Sequence, residues 1–247
     1  MQGRFIALEG PDGVGKSTLA AQLGDLDYAS AVAQLGDLGA GPRELVFAGR
    51  RQISATSAYA ANVMSQLANV LWHSGDARDL PDAFWVGVQA AWFTAHAGTV
   101  VRPLLDAGHD VIVDGWTYKF FSKLLVQGYT ESDLHTIFAR VRMPDTVILL
   151  TADPGALYDR RQGDFRPAEL GMHATHSTLG RDTFIDYQQQ GLHHLHRFAD
   201  AYGWSTVALD PTASILGNTD RLAAVLAELR SNPATASDQP PLTPTRS

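Results

Sequence analysis

The residues of this chain best suited to chemistry form a glycine-rich segment near its start. Residues 10–17 read Gly-Pro-Asp-Gly-Val-Gly-Lys-Ser, a complete G-x-x-x-x-G-K-[ST] pattern. In such a loop the glycines let backbone N–H groups point at phosphate oxygens, while the lysine serves the β- and γ-phosphates and the hydroxyl serves Mg²⁺. The pattern therefore predicts a nucleotide-binding loop made of Gly10, Pro11, Asp12, Gly13, Val14, Gly15, Lys16, Ser17 and Thr18.

The elements around this loop have the order that the motif requires. An apolar run at 5–8 predicts a strand before the loop, and a helix is predicted from Ser17 to about Leu26. The positive N-terminal end of that helix adds to the attraction for phosphate. A second apolar run, at 110–114, predicts a buried strand that ends at Asp114. With this loop upstream, we expect Asp114 and Ser17 to organise a Mg²⁺ ion.

Strands and helices alternate along most of the chain, which predicts a single doubly wound sheet. We expect a three-layer α/β P-loop NTPase fold over residues 1–230, with a parallel sheet of about five strands and a lid near 160–181. The polar, proline-containing segment 231–247 has little to bury, so we expect a disordered tail. Further strands are predicted at 146–151 and 205–209, and helices at 54–72, 84–105, 131–142, 155–161, 182–202 and 220–230.

Composition excludes several classes of protein. The chain has 19 Lys and Arg against 26 Asp and Glu, a net charge of −7, so we expect no sequence-independent binding of nucleic acid. The absence of cysteine excludes disulfides and thiolate zinc sites. We find no apolar run of membrane-spanning length, and the N-terminus begins a strand rather than a signal peptide. These features predict a cytoplasmic protein with no membrane partner.

The segment 5–18, with Glu9, Asp12 and Thr18 around the loop, resembles the opening of thymidylate kinases, F-I-x-x-E-G-x-D-G-x-G-K-S-T. Residues 102–114 and 145–161 are similar to later segments of that family. The resemblance implies a kinase that uses ATP and Mg²⁺ and transfers the γ-phosphoryl group to a deoxynucleoside monophosphate, with dTMP as the family acceptor. It also implies a possible homodimer.

The resemblance implies roles for several side chains. Lys16 and the loop amides would hold the transferring phosphate, and Asp12 would face the acceptor sugar or a lid arginine. Arginines that begin the lid would close over the phosphates, where mobile positive charge cancels developing negative charge. These arginines are Arg160, Arg161 and Arg166.

The chain departs from the family at the acceptor site. Gly115 stands where the family has an arginine after the strand-end aspartate, and Phe93 stands where a second arginine lies on the preceding helix. Lys119 could restore one charge, but as a point donor rather than a bidentate fork. Trp116 lies where families of this fold place acceptor contacts, and both stacking on the acceptor and packing in the core fit its position.

The missing arginines leave other functions open. Residues 84–92 resemble the helix on which deoxynucleoside kinases carry a base-binding glutamine, here Gln89. Two kinds of acceptor therefore stay open: a nucleoside monophosphate, and a nucleoside or related unphosphorylated small molecule. Glu44 lies near the place where nucleoside kinases have a base for the 5′-hydroxyl. A further alternative is a regulatory protein that binds nucleotide without turnover.

Overall fold

One sheet of six parallel strands lies at the centre of the protein, with helices packed on both faces. The structure is a computed structural model that describes residues 2–35, 43–75, 79–174 and 178–231. The strand order is β2-β3-β4-β1-β5-β6. The strands are Phe5–Glu9 (β1), Leu26–Asp27 (β2), Leu45–Phe47 (β3), Asp110–Val113 (β4), Thr146–Thr151 (β5) and Ser205–Ala208 (β6).

The helices connect these strands and cover the sheet. Two of them continue into short π-helical turns, Asn69–His73 and Ala97–Val101. In the described residues the α-helices are Lys16–Leu23 (α1), Tyr28–Gln34 (α2), Ala58–Ala68 (α3), Asp82–His96 (α4), Arg102–Asp106 (α5), Thr117–Val126 (α6), Glu131–Phe138 (α7), Pro154–Arg160 (α8), Arg181–Tyr202 (α9) and Ile215–Ser231 (α10).

The central strand β1 shows why the sheet is buried on both faces. Successive strand side chains point to opposite faces, so Phe5 and Ala7 join one apolar core while Ile6 and Leu8 join the other. All five residues of β1 are buried. A strand covered by helices on two sides must be apolar throughout, and its last residue, Glu9, is therefore an exception that needs partners.

The predicted α/β fold with a parallel sheet is confirmed, but the sheet has six strands rather than about five. The additional strands β2 and β3 have two and three residues, too short to produce a periodic pattern. Helix α6 was missed as well. The tail at 232–247 lies outside the described residues, and the domain limits and the lid remain predictions.

The amino-terminal edge of the sheet is held by a buried carboxylate. Asp110, 1% exposed at the start of β4, forms ion pairs with Arg43 at 2.6 Å and with Arg230 of α10 at 3.3 Å. Its Oδ1 also accepts a hydrogen bond from the backbone N–H of Arg4. This cluster joins three strands to the last helix at the edge opposite the glycine-rich loop.

Candidate functional site

The glycine-rich loop leaves the carboxyl end of β1 and leads directly into α1. Gly10 has φ of 146°, and a Cβ placed there would lie 2.3 Å from the carbonyl oxygen of Leu150, so only glycine fits. The Lys16 ammonium donates to the carbonyls of Gly10 and Pro11 at 2.8 and 2.7 Å. The loop therefore holds its lysine inside its own curve, beside the N–H groups of the first turn of α1.

Lys16 lies in an electropositive environment. Burial, the ammonium of Lys119 and the guanidinium of Arg50 lower its pKa well below the usual range, against the opposing effect of the carboxylates of Asp12 and Glu9. A negatively charged group at the loop would favour the protonated form of Lys16 and relieve the repulsion among the three cations. The electrostatics thus suit an anionic ligand at this position.

Ser17 and Asp114, the two residues expected to organise Mg²⁺, meet beside the loop. The Ser17 hydroxyl donates to Oδ2 of Asp114, and the backbone N–H of Arg50 donates to Oδ1 at 2.6 Å. Burial opposes ionisation of Asp114, but these hydrogen bonds and the charges of Arg50 and Lys16 lower its pKa. A hydroxyl and an ionised carboxylate are the oxygen ligands that Mg²⁺ prefers, so the residues present fit this ion.

Asp12 is the centre of a buried polar cluster. Its carboxylate contacts the ammonium of Lys119, and that of Lys123 at 2.9 Å. Gln188 of α9 donates to Oδ2 of Asp12 at 3.1 Å and accepts from the Asp12 backbone N–H at 2.9 Å. Burial opposes ionisation, yet the two lysines hold the pKa of Asp12 well below its usual range. Asp12 is thus an ionised group fixed by three side chains.

Glu9 joins the loop to the helix that carries the two lysines. Its carboxylate, fully buried, accepts hydrogen bonds from the backbone N–H groups of Trp116 at 3.1 Å and Lys119 at 3.2 Å. These N–H groups belong to the first turn of α6, where a helix lacks internal acceptors. Burial raises the pKa of Glu9 to about 7, against the charges of Lys16 and Lys119.

Two recesses open on either side of the loop and share Asp12, Arg50, Lys119 and Glu169. The first, which we call the donor recess, is lined by residues 12–19, Asp114, Arg160, Arg161 and part of 211–218. The second, the acceptor recess, lies between α4, α6 and the segment 166–173. Among the described residues its charged lining comprises five cations and two carboxylates, namely Arg50, Arg51, Lys119, Lys123, Arg166, Asp12 and Glu169.

Three side chains form hydrogen bonds with the backbone at Arg50 and its neighbour Gly49. The Trp92 indole N–H donates to the Arg50 carbonyl at 2.9 Å, and His96 Nε2 donates to the adjacent Gly49 carbonyl at 2.9 Å. The third anchor is the Asp114 carboxylate. Burial lowers the pKa of His96 to about 4, which keeps the ring neutral. The Arg50 side chain passes beside Gly115, where a Cβ would lie 3.6 Å from Arg50 Cδ.

Four of the predicted acceptor residues line the acceptor recess: Gln89, Phe93, Trp116 and Lys119. Trp116 is also a core residue: it is 2% exposed, its ring packs edge-on against Phe93 with centroids 4.9 Å apart, and its indole N–H donates to the Arg142 carbonyl. Gln89 is partly exposed, and its carboxamide has no hydrogen-bond partner within the described part of the chain.

The structure does not bring Glu44 to this site. Glu44 precedes β3 at the amino-terminal edge of the sheet, and its carboxylate lies 3.9 Å from Nδ1 of His109. In a parallel sheet, residues that precede a strand lie at the amino-terminal edge, and the loops that follow the strands lie at the opposite, carboxyl-terminal edge. Glu44 therefore lines neither of the two recesses, and the structure gives its predicted role as a base no support.

The three predicted lid arginines lie around the loop. Arg160 donates to the Gly13 carbonyl, and the Arg161 guanidinium lies over the Phe165 ring at 4.4 Å from its centroid. Arg166 lines the acceptor recess. Phe165 also covers the loop, since a Cβ on Gly13 would lie 3.0 Å from its ring.

Sequence reasoning missed Arg50, Lys123 and Gln188 as parts of the site. Lys123 follows Lys119 by four residues, so a helix prediction over 117–126 would have placed both lysines on one face. Arg50 and Gln188 lie next to no recognised motif, and only the packing of segments distant in the sequence brings them to the site. Glu9 was noted in the family pattern but without a role.

A parallel sheet with a glycine-rich loop between its first strand and first helix is the arrangement of P-loop NTPases. A thymidylate kinase of Leifsonia xyli subsp. xyli (strain CTCB07) is 30% identical to this chain over 157 residues. The alignment covers 61% of this chain and 64% of that protein, so the chain spans less than two thirds of the relative's length. No family model matches the chain. The similarity supports the general class of nucleotide kinases.

Within the described residues, every helix is too short or too polar to cross a membrane.

Proposed function

We propose that this protein is an ATP- and Mg²⁺-dependent kinase that phosphorylates a nucleoside monophosphate. The observation that carries the proposal is the position of Arg50 between the donor and acceptor recesses, with its backbone anchored and its guanidinium free of hydrogen bonds to the described residues. A fixed arginine at the junction of two recesses suits an acceptor that already carries a phosphate.

The reaction requires positioning more than covalent chemistry. An oxygen of the acceptor phosphate attacks the γ-phosphorus of ATP, the bond from that phosphorus to the β,γ-bridging oxygen breaks, and ADP leaves. We assign Lys16 and the amides of residues 13–18 to the phosphates of ATP. Ser17 and Asp114 would hold Mg²⁺, which neutralises charge on the β- and γ-phosphates when bound. Arg160 and Arg161 would neutralise charge that develops during transfer.

The charge of the acceptor recess favours a monophosphate over an unphosphorylated nucleoside. Asp12 already pairs with Lys119 and Lys123, while Arg50 and Arg51 have no carboxylate within ion-pair distance in the described residues. Burial, Arg50 and Arg166 lower the pKa of Arg51, which is a sign of crowded positive charge. An acceptor phosphate would relieve this repulsion. Gln89 and the ring of Phe93 would then contact the base, and dTMP is the first acceptor to test.

A panel of acceptors tests the proposal. ATP turnover is measured with each nucleoside and each nucleoside monophosphate by coupling ADP release to an optical signal, with Lys16→Ala as the control for contaminating kinases. We expect turnover with one or more monophosphates, lost in the variant. Turnover confined to nucleosides would show a nucleoside kinase instead. Absence of turnover with every acceptor would favour the alternative of a regulatory protein that binds nucleotide.

A further inference from the structure

Gln188 joins two segments of the site that are far apart in the sequence. It is 4% exposed in the middle of α9, and its Oε1 accepts from the Asp12 backbone N–H at 2.9 Å. Its Nε2 donates to the Asp12 carboxylate at 3.1 Å and to the Glu169 carbonyl at 2.9 Å. A carboxamide has one acceptor oxygen and two N–H donors, so every polar group of this side chain is used.

The Glu169 carbonyl belongs to the segment that covers the acceptor recess. Residues on both sides of Glu169, among them Arg166 and Met172, line this recess. The Glu169 carboxylate accepts from the Arg166 backbone N–H at 2.9 Å, which closes a turn at this point. A hydrogen bond to the Glu169 carbonyl therefore holds the middle of the segment 166–173.

Helix α9 is a firm support for this contact. It packs against α6 at Gly191, where a Cβ would lie 3.6 Å from the Ser122 hydroxyl oxygen. Helix α6 carries Lys119 and Lys123, the ion-pair partners of Asp12. Gln188 thus fixes Asp12 and the segment 166–173 relative to the same pair of helices.

We propose that Gln188 is a positioning residue that holds the segment 166–173 over the acceptor and orients Asp12 toward it. This inference rests on the proposed function, because the acceptor recess is taken as the site of the phosphate acceptor. Gln188 touches neither substrate in this arrangement. It acts through Asp12 and Glu169, which line both recesses, and its loss is felt more strongly at the acceptor recess because the segment 166–173 lines that recess.

The test compares Gln188→Met with Gln189→Met. Methionine matches the length of glutamine without its hydrogen bonds, and Gln189 is the exposed neighbour on the same helix. Gln188→Glu is a second variant that keeps the acceptor oxygen for the Asp12 N–H but loses both donors. We expect Gln188→Met and Gln188→Glu to raise KM for the monophosphate about tenfold and leave KM for ATP within about twofold. The Gln189→Met variant keeps both constants.

Amide hydrogen exchange provides a readout that does not depend on turnover. In Gln188→Met we expect faster exchange in the segment 166–173 and unchanged exchange in β1 and β4. If the wild type phosphorylates no monophosphate, the proposed function fails, while exchange in this segment still decides the role of Gln188. Unchanged exchange, equal increases of both KM values, or failure of both Gln188 variants to fold would overturn the positioning role.

Discussion

Replacement of Glu9 by glutamine should change how stability depends on pH. In the folded protein burial raises the pKa of Glu9 from its ordinary value of 4.5 to about 7, despite Lys16, Lys119 and two backbone N–H donors nearby. Between these two values the unfolded chain has released the proton while the folded protein still holds it. The free energy of unfolding of the wild type therefore falls as pH rises through this window, and the decline ends above pH 7.

The size of the effect follows from the two pKa values. One pKa unit corresponds to about 1.4 kcal/mol, so ionisation of Glu9 costs the folded protein about 3 kcal/mol in total. Glutamine does not titrate. Its hydrogen bonds with the N–H groups of Trp116 and Lys119 differ from those of glutamate, but this difference changes the free energy of unfolding by the same amount at every pH. From about pH 5 to about pH 8 the wild type should lose about 2 to 3 kcal/mol relative to Glu9→Gln.

Urea unfolding followed by circular dichroism at several pH values measures this difference directly. Glu228→Gln, which removes an exposed carboxylate of α10, is the matched control and should follow the wild type across the range. The difference between wild type and Glu9→Gln isolates Glu9 from the other titrating groups. A difference that stays constant from pH 5 to pH 8 would refute the assignment of a raised pKa to Glu9.

Three other predictions concern the metal, the acceptor and the opposite edge of the sheet. Asp114→Ala should lower Mg²⁺-dependent turnover at least about 100-fold with little change in the thermal melting curve, and near-normal rates would remove Asp114 from the site. Arg50→Gln should raise KM for the monophosphate about 10- to 100-fold in steady-state assays, with a smaller increase of KM for ATP because Arg50 lines both recesses. Asp110→Asn should lower the free energy of unfolding in urea by about 2 kcal/mol, because Arg43 and Arg230 lose a buried partner but are themselves partly exposed.

The parts of the fold that the sequence predicted are those with contiguous signals. The glycine-rich loop is one uninterrupted motif, and β1, β4 and β5 are continuous apolar runs because helices cover both of their faces. Strand β3 has three residues and gains its place from pairing with β4, which no local pattern reports. Helix α6 was missed because Lys119, which is buried, and Lys123, which is partly exposed, interrupt its apolar pattern; both pair with Asp12.

In the candidate site, too, the residues that belong to a local motif were predictable and those placed by tertiary packing were not. Ser17 and Asp114 each end or begin a recognisable element, so their meeting was predictable once both strands were placed in one parallel sheet. Arg50 and Gln188 depend instead on how distant segments pack. Glu44 was assigned only by its place along the chain, near where nucleoside kinases have a base, and the start of β3 after Glu44 puts it at the edge of the sheet opposite the loop.

Each of the two missing family arginines has its own structural explanation. Gly115 has φ of 127°, a conformation that disfavours any side chain, and a Cβ there would be in van der Waals contact with the Arg50 side chain at 3.6 Å. Phe93 is 3% exposed and packs against Trp116, so an arginine there would bury its charge among aromatic rings.

The helix that lacks the second arginine also anchors Arg50. Trp92 and His96, on either side of Phe93 in α4, hold the carbonyls of residues 50 and 49. The aromatic residues of this helix therefore have two effects on the acceptor recess: Phe93 replaces an arginine of the family, and Trp92 and His96 hold the backbone that carries Arg50. If this exchange is what preserves binding of an acceptor phosphate, Trp92→Phe, which removes the indole N–H together with part of the buried ring system, should weaken monophosphate binding in the same direction as Arg50→Gln and to a smaller extent.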